Sequence, residues 1–268
     1  MWFFDVEGVV MEHVVSADGT AIAYERRGEG PPLVLLGGGF RDHHIFDSIV
    51  AELEANFTTF AYDRRGRGES GDAEKYAVER EVEDLAAVME AAGGEPFVFG
   101  GSSGALLTLE AAMVGAPMRK LALLEPPYRV AGHVGPPPGF AERLDSLLEQ
   151  GRHGDAAEMF LLELVGFTPE MVEEWKNSPM WAANEAVAHT LPYDTAVCGD
   201  GRLPVERLAR TQVETLVVSS TRTGDWLRAA SQETAKALGR GRHLELPGVW
   251  HRVPPEVLCP ALIEFYTD

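Results

Sequence analysis

The chain has 268 residues, 45% hydrophobic and 24% charged, a balance that lets one large α/β domain, with or without an insertion, bury a sizeable core. Its formal net charge of −19 repels polyanions, so no nucleic-acid partner is expected, and the acidity favours solubility and neutral or cationic over anionic ligands. No apolar run nears the ~18 residues of a membrane span, and the opening Met1-Trp2-Phe3-Phe4-Asp5-Val6-Glu7 lacks the basic stretch of a secretory signal, so a cytoplasmic protein with no membrane partner is expected.

The first part of the chain reads as strands. Residues 11–16 and 21–26 alternate around Ala17-Asp18-Gly19-Thr20 and predict a hairpin. Pro31-Pro32 opens the run Leu33-Val34-Leu35-Leu36, apolar on both faces and closed by Gly37-Gly38-Gly39, the pattern of a central parallel strand. Residues 44–56 carry apolar positions at helical spacing, and Phe57–Tyr62 returns to strand character. Arg64-Arg65 with Arg67 is the one basic cluster, read as structural ion pairs near a loop. A helical pattern over 77–92 stops at Gly93-Gly94; a short strand at Pro96–Phe99 and a helix over 103–115 follow. Leu121–Leu124 and Thr215–Ser219 read as strands, 225–238 as a helix, His243–Leu246 as a strand and Pro255–Tyr266 as a closing helix. Strands alternating with helices imply a mostly parallel sheet covered on both faces.

Residues ~128–205 break this alternation, with short helical patterns around 139–150, 153–165, 169–177 and 179–189. They are divided by Gly135-Pro136-Pro137-Pro138-Gly139, Gly151, Gly154 and Pro179. The expectation is a helical cap, residues 128–205, over the C-terminal edge of a sheet built from 1–127 and 206–268, because ligands bind at that edge.

The strongest chemical signal is Phe97-Val98-Phe99-Gly100-Gly101-Ser102-Ser103-Gly104-Ala105-Leu106-Leu107, which sets G-x-S-x-G between a strand and a helix. Glycine is required there because the turn strains the serine backbone and brings neighbouring positions almost into contact. Gly100 and Gly104 stand at the needed offsets from Ser102, whereas Ser103 would be flanked by Gly101 and Ala105. Ser102 is therefore the candidate nucleophile and the Ser103 N–H a candidate oxyanion donor; a flexible loop or a helix cap is the alternative reading of the glycines alone.

Three more segments stand in a matching order: Leu35-Leu36-Gly37-Gly38-Gly39-Phe40, Tyr62-Asp63-Arg64-Arg65-Gly66-Arg67-Gly68-Glu69-Ser70 and Leu246-Pro247-Gly248-Val249-Trp250-His251. With the elbow they resemble the α/β-hydrolase family over nearly the whole chain. The resemblance implies the α/β-hydrolase fold and an oxyanion hole whose second donor is the Phe40 N–H, with Gly39 adjacent. Two departures stand out: the family's usual histidine is Gly38 here, and its aromatic or histidine before the nucleophile is Gly101. Both are expected to leave room beside the serine. Gly66-x-Gly68-x-x-Gly71 also matches a dinucleotide fingerprint, but it is outside the first βα unit and is followed by Asp72-Ala73-Glu74-Lys75, so no nucleotide is expected.

His251, between the last strand and the last helix, is the candidate base. His43 is a candidate pocket residue, with helix-start placement for His43 and His44 as the alternative; His133, His153 and His189 belong to the insertion. For the triad acid, Asp225 occupies the commonest family position but sits where it could cap the next helix. Glu125, at the end of the strand after the nucleophile helix, resembles the acid of some lactone hydrolases of the family, and it is preferred, with Asp225 as the alternative. Within the insertion Trp175, Trp181 and Tyr193 are candidate lining residues among aromatic and methionine side chains that mostly pack the cap. Cys198 and Cys259 form neither a disulfide framework nor a metal motif. The resulting expectation is hydrolysis of an uncharged, fairly hydrophobic small-molecule ester or lactone through an acyl-enzyme, with no cofactor and no metal. C–C bond cleavage or perhydrolysis on the same triad, and a non-hydrolytic ligand-binding role, are the alternatives; nothing indicates an oligomeric state.

Overall fold

The apolar runs assemble into one eight-stranded sheet: β1 (Met11–Val15), β2 (Ala21–Arg27), β3 (Pro32–Leu36), β4 (Thr58–Tyr62), β5 (Phe97–Gly101), β6 (Lys120–Leu124), β7 (Glu214–Arg222) and β8 (Gly241–Val249). The computed structural model describes residues 11–130 and 135–268; Met1–Glu7 and His133 lie outside the described residues. The strand order is β1-β2-β4-β3-β5-β6-β7-β8, with β1–β2 and β2–β4 antiparallel and every later pair parallel.

Strand side chains alternate between two faces, and each face has its own helices. Val34, Val98, Leu121, Leu123 and Val217 pack against α2 (Val78–Ala91), α3 (Ser103–Met113) and, through Ala235, α10 (Asp225–Ala237). Leu35, Phe97, Phe99, Leu216 and Val218 pack on the other face against α1 (Asp47–Leu53) and α11 (Pro255–Thr267).

β7 and β8 run further than expected. The polar stretch Ser219–Arg222 stays in register with β8 as far as Ser220, then passes an irregularity, and Arg222 pairs with Val249. This extension carries the chain up to the turn that holds His251.

The cap is α4 (Phe140–Glu149), α5 (His153–Met159), α6 (Pro169–Lys176), α7 (Trp181–Ala186) and α8 (Leu191–Cys198), with a π-helical turn over Phe160–Val165; the short α9 (Val205–Leu208) leads back to the sheet. Phe140, Leu144, Phe160, Leu161, Val172 and Leu191 form its own core, which also takes in Phe40 from the sheet side. Its two ends meet where the Arg129 N–H donates to the Gly201 carbonyl at 2.6 Å. Helix α8 lies beyond the last helical pattern expected, around 179–189; its proline sits in the first turn, where its missing N–H costs nothing. Among the described residues no helix is long and apolar enough to cross a membrane.

Candidate active site

Five non-glycine residues among those described have positive φ: Phe40 (61°), Ser102 (55°), Glu125 (49°), Trp250 (39°) and His251 (46°). All lie on loops at the C-terminal ends of sheet strands. L-residues resist this conformation by roughly 1–2 kcal/mol each, and such strain collects at functional sites when the surroundings enforce it.

Ser102 sits between β5 and α3 with φ 55° and ψ −126°. Its N–H donates to the Leu124 carbonyl at 2.9 Å, which fixes the elbow to the end of β6. The turn closes so tightly that a Cβ on Gly104 would come 2.5 Å from the Gly37 carbonyl oxygen. The next residue of β6's exit, Glu125, is fully buried. Its Oε1 accepts from the Ser220 N–H at 2.8 Å and from the Ser220 hydroxyl at 2.6 Å, and its Oε2 accepts from the His251 N–H at 2.6 Å. His251 Nδ1 stands 2.8 Å from the same Oε2, bent away from a linear hydrogen bond. Burial alone would raise the Glu125 pKa, but His251 and the two Ser220 donors outweigh it and hold the carboxyl at about 2.

His251 arrives on a two-residue hairpin turn. Val249 and Arg252 exchange both backbone hydrogen bonds at 3.0 Å, leaving Trp250 and His251 as the central pair, both with positive φ, as a type I′ turn requires. Nucleophile elbow and imidazole are thus tied to consecutive residues of one strand end, Leu124 and Glu125. Asp225 lies elsewhere: its side chain is fully exposed at the start of α10, 3.1 Å from Arg228.

Among the described residues no acceptor takes the Phe40 N–H, and Ser103 is the first residue of α3, where helix N–H groups have no partner within the helix. Both donors are therefore free for an oxyanion. Gly39 instead turns its α-carbon toward Asp194. The expectation of extra room holds at Gly101, where an added Cβ meets nothing within 4 Å. It is corrected at Gly38, whose added Cβ would come 2.7 Å from Ser102 Cβ: this glycine is needed for contact with the nucleophile.

Beneath this turn lies a buried ion network, in which the arginine cluster forms the structural ion pairs expected of it. Arg67 donates to the Gly38 carbonyl at 2.7 Å, to Asp194 at 2.6 Å and to Thr190 at 3.1 Å. Arg64 pairs through both Nε and Nη2 with Glu81 and donates to Asp194 at 2.7 Å, while the Ser103 hydroxyl donates to Asp194 at 2.6 Å. Burial would raise the Asp194 pKa, but the two arginines hold it below its ordinary value. Asp194 comes from α8, so a cap residue braces both the oxyanion turn and the elbow helix. Arg65 is occupied by Asp84 and Asp18. The Gly66–Gly71 segment is a surface turn folded round the buried Asp63, whose carboxylate accepts from the Glu69 N–H at 2.8 Å and lies directly against Gly68, so the turn is taken up by an acid rather than shaped for a phosphate.

Three of the four expected lining residues serve other ends. His43 is buried, with Nδ1 2.8 Å from Asp63 and Nε2 3.8 Å from Glu25. Burial favours its neutral form, but these carboxylates hold its pKa above the ordinary value, and the ring is an internal strut rather than a pocket wall. The Tyr193 hydroxyl donates to Asp72 at 2.9 Å and its ring stacks on Tyr76 at 4.1 Å, joining cap to core. Trp181 donates to Glu185 one turn along its own helix. Trp175 belongs to an aromatic belt: Phe40 meets Trp175 at 6.5 Å, Trp175 meets Phe167 at 5.5 Å, and Phe167 meets Trp250 at 5.2 Å. The belt runs from the oxyanion turn across the cap to the histidine turn. Phe167 is one of the large apolar side chains that the sequence gathers in the insertion, whereas Trp250 stands out there only as part of the histidine turn, because an aromatic in a loop carries no periodicity.

A family model described as the alpha/beta hydrolase family matches residues 33–259. The chain is similar to the solved structure of an alpha/beta hydrolase from Sphaerobacter thermophilus, at 47% identity and a TM-score of 0.93, over 95% of this chain and 100% of that one. It shares a fold with the enol-lactonase from Burkholderia xenovorans, at 22% identity and a TM-score of 0.74, over 96% of this chain and 98% of that one. The uncharacterized hydrolase YraK of Bacillus subtilis is 36% identical over 96 residues, covering 34% of this chain and 35% of that protein, so the match spans about a third of its length.

Proposed function

Since the chain belongs to the alpha/beta hydrolase family, we propose that it is a serine hydrolase cleaving a carboxylic ester or lactone through an acyl-enzyme, with Ser102, His251 and Glu125 as its triad. The observation that carries this reading is the buried Glu125 carboxylate held against His251 at the strand end to which the Ser102 N–H is bonded. His251 takes the serine proton as the hydroxyl attacks the carbonyl, and Glu125 stabilises the imidazolium and orients the ring. The N–H groups of Ser103 and Phe40 hold the developing oxyanion. His251 returns the proton to the leaving oxygen, and a water activated by the same imidazole releases the acid.

The test is labelling by a fluorophosphonate probe together with turnover of p-nitrophenyl esters and of aryl and macrocyclic lactones. Wild type is expected to label at Ser102 and to turn over at least one substrate class, and Ser102→Ala to do neither. Undiminished labelling of Ser102→Ala would reject Ser102 as nucleophile.

A further inference from the structure

We infer that Arg41 and Trp175 form a subsite for a carboxylate on the substrate, so that the ester or lactone cleaved is anionic. The inference rests on the hydrolase reading above and replaces the uncharged substrate expected from composition.

Arg41 directly follows Phe40, whose N–H is the free oxyanion donor. Its guanidinium carbon lies 5.4 Å from the centre of the Trp175 ring, on the belt that spans the site. Every arginine beneath the oxyanion turn is matched: Arg64 to Glu81 and Asp194, Arg65 to Asp84 and Asp18, Arg67 to Asp194. Arg41, half-buried, has no carboxylate within ion-pair distance and no hydrogen bond to an acceptor among the described residues. Trp175, whose face it covers, leaves its own Nε1 buried and without a partner. Two strong donors thus stand unsatisfied together beside the candidate oxyanion hole.

A half-buried cation with no counter-ion loses part of its hydration without recovering it in an ion pair. The second nearby cation worsens the cost: burial first, and then the positive charge of Arg252, lower the Arg41 pKa to about 10 against the opposing pull of Asp42. Arg252 belongs to the turn that presents His251, so the field comes from both sides of the site. Asp42 opposes this through its charge but makes no ion pair with the guanidinium; its Oδ1 accepts from the His44 N–H at 3.1 Å. A ligand carboxylate removes the deficit: it takes two parallel N–H bonds from the guanidinium fork and offers a lone pair to the indole N–H. In a protein of net charge −19 such an anion needs a dedicated cation to be drawn in at all.

The experiment compares mono-4-nitrophenyl adipate and mono-4-nitrophenyl suberate with their methyl esters, which differ only in the distal charge. Wild type is expected to favour at least one half-acid by about tenfold or more in kcat/KM, a discrimination of the size expected for leaving a buried charge unpaired. Arg41→Met is expected to lower the half-acid to methyl-ester ratio at least about tenfold, Arg41→Gln similarly, and Trp175→Phe by several-fold, since it removes the indole N–H and keeps the ring. No preference for either half-acid in wild type, or a ratio unchanged in Arg41→Met and Arg41→Gln, overturns the subsite. If no ester turns over and the fluorophosphonate leaves Ser102 unlabelled, the hydrolase reading has failed. The subsite is then decided by calorimetric titration with adipate and suberate: binding lost in Arg41→Met supports it, and no binding to wild type refutes it.

Discussion

Asp194→Ala is expected to unseat the cap and slacken the oxyanion turn in one step. The carboxylate is about 1% exposed and takes three donors, Arg64, Arg67 and the Ser103 hydroxyl, at 2.6–2.7 Å. Its removal leaves Arg64 still paired through two nitrogens with Glu81. Arg67 is left with neutral partners alone, the Gly38 carbonyl and the Thr190 hydroxyl. Stranding one buried charge costs about 3–5 kcal/mol, and the unpaired Ser103 hydroxyl adds about 1 kcal/mol. With a urea dependence of about 3 kcal/mol per M, the unfolding midpoint falls by about 1 M or more. Asp194→Asn, which keeps the shape and removes the charge, should fall between wild type and alanine. Urea unfolding followed by tryptophan fluorescence and by far-UV circular dichroism reads the effect, the first weighted toward a cap that holds Trp175 and Trp181. A midpoint within about 0.3 M of wild type would show that the network contributes little net energy. In the same variant kcat should drop by about tenfold or more, because Arg67 no longer has its charged anchor while it holds the Gly38 carbonyl.

Other outcomes follow from the same geometry. Glu125→Gln should lower kcat by about 10³–10⁴-fold, whereas Asp225→Asn, altering a fully exposed side chain, should stay within about twofold; steady-state kinetics with the reverse ranking would reassign the acid. Gly38→Ala forces a methyl to within 2.7 Å of Ser102 Cβ and 3.0 Å of the Gly101 carbonyl, so activity should fall by about 10²-fold through displacement of the nucleophile, with comparable labelling rates in variant and wild type as the contrary result. Glu125 has its pKa depressed from 4.5 to about 2 in the fold, so its contribution is complete above about pH 4.5 and disappears as pH falls toward 2. Urea midpoints between pH 6 and pH 3 should therefore decline more steeply for wild type than for Glu125→Gln, and equal slopes would contradict the depressed value.

Legibility followed the range over which each signal acts. The central strands announce themselves as short apolar runs, and the elbow as a glycine pattern inside eleven consecutive residues, so both can be read locally. Glu125, preferred for its resemblance to the acid of some lactone hydrolases and its place at a strand end before two prolines, does lie against His251, a direction the sheet dictates. Asp194 was not readable, because what makes it matter is contact with Arg67, 127 positions away, and nothing in Leu191-Pro192-Tyr193-Asp194 signals a charged partner. His43 left a pocket and a helix start both open; it begins the short 3-10 turn His43–Phe46, and Asp63 on the neighbouring strand's exit, a partner 20 positions away, draws the ring inward. Trp175 could be picked out by size, while Arg41 beside it carried no sequence cue, since an unpaired cation is defined by partners that are missing in three dimensions.

The five left-handed residues bear on how this site came to exist and how it could be moved. At roughly 1–2 kcal/mol each, together they oppose folding by an amount comparable to the whole net stability of an ordinary domain. No isolated segment of this chain would hold Phe40, Ser102, Glu125, Trp250 and His251 in these shapes. The sheet that surrounds them imposes these shapes, so they persist only in the folded chain. By the same reasoning, copying the three triad side chains onto a smaller or softer scaffold would transfer the residues without the conformation, and the relaxed backbone would turn serine and histidine away from each other.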